Sequence, residues 1–101
     1  MEFTQQSNHC KTVDGSKDNQ IALASLSGTR GFICRVVVVT DNSTNPILFY
    51  DGTDSSAATV LGVVPASATA GQNFDFQMPF QVGIFMAGAT SAGDVTVGWY
   101  S

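Results

Sequence analysis

Apolar and polar residues alternate along short runs of this chain, and clusters of turn-forming residues separate the runs. Over residues 72–78, Phe74, Phe76 and Met78 fall on one side, with Asn73, Asp75 and Gln77 on the other. Over residues 94–100, Val95, Val97 and Trp99 share a side. A period of two predicts half-buried antiparallel strands. Apolar runs at 20–26, 32–40, 46–51, 59–64 and 82–87 are read as strands too, with a short eighth at 9–13. The seven longer runs start roughly 10–14 residues apart, the rhythm of a sandwich or barrel.

The connectors suit that role. Ser27-Gly28-Thr29-Arg30-Gly31, Asp41-Asn42-Ser43-Thr44-Asn45 and Asp51-Gly52-Thr53-Asp54-Ser55-Ser56 are rich in residues that accept turn conformations. Pro46 opens a strand where no ladder N–H is missed, and Pro65 closes the 59–64 run. Pro79 is expected to end or bend the 72–78 run. No stretch sustains a 3.6-residue period with caps, and the nearest, 55–64, stops short of helix length. The fold class is therefore all-β. We expect an antiparallel β-sandwich, jelly-roll-like, of seven or eight strands over residues 20–101, preceded by an extended N-terminal arm at 1–19.

Two runs are apolar on both sides. Phe32, Cys34, Val36 and Val38 oppose Ile33, Val37 and Val39; Val60 and Val64 oppose Leu61 and Val63. A two-layer sandwich leaves one face of each strand wet, so something else has to cover the second face. A neighbouring subunit is the economical candidate, because exposed Val and Leu patches are a liability on a monomer; a third layer made by the chain's own N-terminal segment is the alternative. Ile33, Val37, Val39, Leu61 and Val63 are thus expected at a subunit interface. Trp99 belongs to the core, and Tyr100, facing the other way, to an edge or interface.

Charge narrows the partners. Only 12% of residues are charged, about half the usual share, and the net charge is −4. Lys11, Lys17, Arg30 and Arg35 are the only fixed cations, too few for nucleic acid or an anionic membrane surface. No segment reaches the ~20 apolar residues of a membrane-spanning helix. Residues 1–8 lack the apolar stretch of a signal peptide, so synthesis in a cytoplasm is expected if Met1 is the native start. The arm holds few apolar anchors: Met1, Phe3, Cys10 and Val13. It is expected to order on assembly, with Phe3 in an apolar pocket and residues 10–13 added to a sheet edge on a neighbour or shell, the alternative being a frayed terminus.

Little chemistry is offered. Cys10 and Cys34 read as buried thiols, with a disulfide after release from the cell as the sharper alternative. His9 lies in the polar leader, away from any rigid scaffold that could align it with a nucleophile. Asp14, Asp18, Asp41, Asp51, Asp54 and Asp94 lie in turns or at strand ends, where Asp usually bonds its own backbone. Residues 14–19 and 51–55 space oxygen ligands closely without the calcium-loop pattern. No enzymatic activity, cofactor or metal is expected.

The segments 31–40, 47–53, 59–61, Phe74-Asp75-Phe76, Pro79-Phe80, 82–85 and 94–100 together resemble a family of small β-sandwich proteins found beside capsid genes in tailed phages. The order resembles a pattern of a strand, a Leu-Tyr-Asp turn, a Val-Leu strand, Phe-x-Phe, a short Gly-Ile strand and a Val-x-Val-x-Tyr end. It covers about four-fifths of the chain, from Ile21 to Tyr100, and none of its residues does chemistry. The resemblance implies a virion structural protein: a capsid decoration (cement) protein on the head exterior, bound to the major capsid protein as a homotrimer. The alternatives are a carbohydrate-binding virion module and a tail or head–tail connector protein.

Overall fold

Each apolar run forms a strand. β1 spans His9–Asp14, β2 Asn19–Leu23, β3 Gly31–Val38, β4 Ile47–Tyr50, β5 Val60–Val64, β6 Asn73–Phe80, β7 Gly83–Ala87 and β8 Asp94–Tyr100. The computed structural model describes residues 6–23, 31–57 and 59–101, with no helix among them. The strands pair antiparallel in two sheets, ordered β1-β8-β3-β6 and β2-β7-β4-β5. The pairs β1–β8, β2–β7, β3–β6 and β4–β5 nest like one long hairpin rolled into two layers. That is the jelly-roll order, and the sandwich expected from the alternation is present.

The core lies between the sheets. Ile33, Val36, Val38, Phe80, Val95 and Val97 of the first sheet meet Ile47, Phe49, Val64, Ile84 and Met86 of the second, all essentially buried. Phe49 and Phe76 pack edge to face, ring centroids 5.6 Å apart, an aromatic arrangement that adds to simple burial. Gly62 makes room for this pair, since a β-carbon there would collide with the Phe76 ring.

Register shifts interrupt strict alternation at three places, one of them at Ile21 on β2, and the other two move residues expected at a subunit interface. Ile33 pairs with Trp99 and Arg35 with Gly98, so Cys34 is an extra residue on β3. A bulge of this kind resets which side chains face the core. Ile33, Val36 and Val38 consequently all point inward, and Ile33 is fully buried within its own chain rather than free for a neighbour. On β5, Phe49 pairs with Gly62 and Tyr50 with Val60, which leaves Leu61 extra. Leu61 joins Val64 in the core at 3% exposure, while Val60 and Val63 turn outward. Val37 is half-buried, and Val39, Val63 and Tyr100 are exposed.

The expected arm at 1–19 is shorter than its composition implied. β1 pairs with β8 residue for residue, from His9↔Trp99 to Asp14↔Asp94. Val13 is buried, and the His9 ring stacks on Trp99 at 5.4 Å. The Asn8 amide donates to the Ser101 carbonyl oxygen at 3.1 Å and accepts the Ser101 N–H at 3.2 Å. Main-chain ladder bonds along β8 order this segment whatever its side-chain polarity. Cys10 is therefore exposed on an edge strand of its own subunit, contrary to the buried-thiol expectation, and Cys34 is buried; both are free thiols. Phe3 lies outside the described residues. Pro79 does not end its strand, because β6 is an edge strand, where proline is tolerated.

Candidate interaction surface

The outward side of the second sheet is built from two rows fixed by strand register. Gln20 opposes Phe85, Phe85 opposes Tyr50, and Tyr50 opposes Val60. In the next row Ala87 opposes Leu48, and Leu48 opposes Val63. Directly opposed residues share a face, so these side chains form one patch. Val60 and Val63 are 42% and 41% exposed, and Leu23, beyond Gln20 on β2, is 63% exposed. Leu48, Tyr50, Phe85 and Ala87 are half-buried against one another. The Gln20 side-chain NH2 donates to the carbonyl oxygens of Ala22, Gly52 and Ile84, at 3.0–3.1 Å. None of these row positions carries a charge.

The outward side of the first sheet is different in kind. Thr12, Thr96, Val37 and Asn73 form one row, and the Thr12 and Thr96 hydroxyls hydrogen-bond at 2.7 Å. Cys10, Gly98, Arg35 and Asp75 form another, in which Arg35 Nε donates to Asp75 Oδ1 at 3.1 Å. Gly98 admits the Ser7 side chain directly over the sheet, a space any β-carbon would fill. Tyr100, Phe32 and Pro79 make the one apolar corner of this face.

The loops bind each other at both ends of the sandwich. At one end, Asp18 accepts the Gly88 N–H at 2.8 Å, Asp41 accepts the Ala70 N–H at 2.7 Å, and the Ser43 hydroxyl donates to the Thr90 carbonyl oxygen at 2.8 Å. At the other end, one carboxylate, Asp51, accepts the N–H groups of Gln81, Val82 and Gly83 at 2.8–3.2 Å. Asp18, Asp41 and Asp51 thus join segments far apart in sequence. Only Asp14 and Asp54 make the local turn bonds expected of such residues, to Ser16 and Ser56. The serine hydroxyl, then the serine N–H, hold each carboxyl below its ordinary pKa of 3.8.

Among the described residues no three His, Cys, Asp or Glu side chains converge as metal ligands, and no helix is long and apolar enough to cross a membrane. The strongest surface feature is the apolar face of the second sheet. Sequence reasoning recovered only Val63 of it. The signal for the rest was the same two-sided pattern, Leu48 and Tyr50 against Ile47 and Phe49, and Phe85 and Ala87 against Ile84 and Met86. No family model, curated protein or solved structure matches this chain.

Proposed function

We propose that this chain is a structural protein of a tailed-phage virion, a decoration protein that sits on the head exterior and braces the shell. The observation that carries this reading is a jelly roll with an uncharged apolar face on one side. Jelly rolls serve in capsid, lectin and cupin domains, so the fold argues by analogy. The apolar face adds a physical reason for a partner, because a patch of that kind marks an interaction site. The sequence resemblance supplies the virion setting. The partners are the major capsid protein and further copies of this chain, three of them by the resemblance. No reaction, cofactor or nucleic acid enters this role.

The test is co-sedimentation of the purified protein with undecorated tailed-phage shells. Saturable binding at many copies per shell, with shells that then resist heat or low salt, supports the reading. Glycan binding that requires Trp99 or Tyr100, without affinity for shells, would favour a carbohydrate-binding module instead. A single ring of copies per virion would favour a connector.

A further inference from the structure

We infer that the outer face of the β2-β7-β4-β5 sheet, centred on Leu48, Tyr50, Val60, Val63 and Phe85, is the contact between copies of this chain. The inference deepens the structural-protein reading by assigning this face its occupant. Three observations select a second copy. First, the face is apolar and carries no charge at its row positions, so meeting its own kind buries no unpaired ion. The Gln20 side-chain NH2 already donates to backbone carbonyl oxygens, which leaves the Tyr50 hydroxyl as a polar group for a partner to meet.

Second, among the described residues the carboxylates of this acidic chain lie elsewhere. Asp14, Asp18, Asp41 and Asp94 are in or beside the loops at one end, Asp51 and Asp54 are at the other, and Arg35 pairs with Asp75 on the opposite sheet. Two copies meeting through the second sheet keep their like charges at the periphery. Salt screens such charges over about 8–10 Å.

Third, the dimensions suit it. The molecule measures 38 × 34 × 20 Å. A standard interface takes about 800 Å² from each partner. The broad sides, 38 × 34 Å across, offer more room for such a contact than the edges 20 Å thick. Of the two broad sides, the first sheet presents the bonded, exposed pairs Thr12–Thr96 and Arg35–Asp75 across its middle and is apolar at the Tyr100, Phe32 and Pro79 corner.

The experiment is sedimentation of the full chain without shells, across micromolar concentrations, for the wild type, Val63→Glu and Val39→Glu. Val39 is as exposed as Val63 but lies beyond the end of β3, off this face. The expected result is a wild type of two or three copies, about 100-fold weaker association for Val63→Glu, and no change for Val39→Glu. A monomeric wild type, or a Val63→Glu chain that assembles like the wild type, overturns the inference. Should Val63→Glu misfold by circular dichroism, radical footprinting of the wild type decides. Tyr50 and Phe85 must become protected as concentration rises, and unchanged labelling overturns the inference. Shell binding is measured separately. Oligomers that ignore shells refute the virion role and leave the contact standing. Monomers that bind shells, and lose them with Val63→Glu, refute the contact and make this face the shell-binding surface.

Discussion

The two outer faces of the sandwich are made from the same strand geometry and present opposite chemistry. On the first sheet, outward positions hold Thr12 bonded to Thr96 and Arg35 bonded to Asp75, with Asn73 and Val37 beside them and an apolar corner at Tyr100, Phe32 and Pro79. On the second, they hold Leu48, Tyr50, Val60, Val63 and Phe85. One face is finished as a protein surface, and the other resembles half of an interface core. The difference teaches that a jelly roll's inner faces are set by folding, while its outer faces are free to record what the molecule touches.

Both faces depend on one core, so the largest effect is expected there. Phe49→Ala removes a fully buried ring and its edge contact with Phe76, and should cost about 3–5 kcal/mol in urea unfolding. A loss well under 1 kcal/mol would mean that the two sheets do not share this centre.

Asp51 comes next, because it ties the end of the apolar sheet to the β6–β7 turn. Asp51→Ala leaves three N–H groups without their acceptor and should cost about 1–3 kcal/mol. Amide exchange at Val82 and Gly83 should quicken, with little change in the middle of β8.

Smaller effects separate the faces themselves. A double-mutant cycle with Thr12→Val and Thr96→Val should return about 0.2–1 kcal/mol of coupling. The Arg35–Asp75 pair, exposed on both sides, should couple by about 0.2–1 kcal/mol and weaken in high salt. On the other sheet, Val60→Thr should leave monomer stability within about 0.5 kcal/mol while weakening association. Equal loss of stability at both faces would erase the contrast drawn between them.

The smallest effect concerns pH. Asp14 and Asp54 have folded-state pKa values lowered by their serine partners. Their stabilising contribution is present above the ordinary value of 3.8 and is lost as pH falls through the lowered values. Ser16→Ala and Ser56→Ala should move each carboxyl back toward 3.8, read by carboxyl carbon NMR titration. Neither substitution should alter either outer face.

The strand positions were legible in the sequence because a period of two is a property of each strand's own backbone. The rhythm of turns between them was legible for the same local reason. The bulges at Cys34 and Leu61 were not. Each is an extra residue only with respect to a partner strand, β8 or β4, and a bulge exists in the pairing rather than in either segment. Their effect was large enough to carry Ile33 and Leu61 from an expected interface into the core.

Three further features needed the tertiary structure. A short strand at 9–13 was legible, but its partner was not: the open edge of β8 in the same chain supplies its hydrogen bonds. Asp18, Asp41 and Asp51 look like local turn residues, and the folded ends place distant N–H groups within their reach. The apolar face was half-visible as two-sided runs, yet only the register put Leu48, Tyr50, Val60, Val63 and Phe85 side by side. Alternation by itself determined that this chain folds as strands with a buried side. Which strands pair, which residue faces out at a bulge, and which apolar side chains meet on the surface depend on contacts between segments far apart in sequence, and folding brings those together.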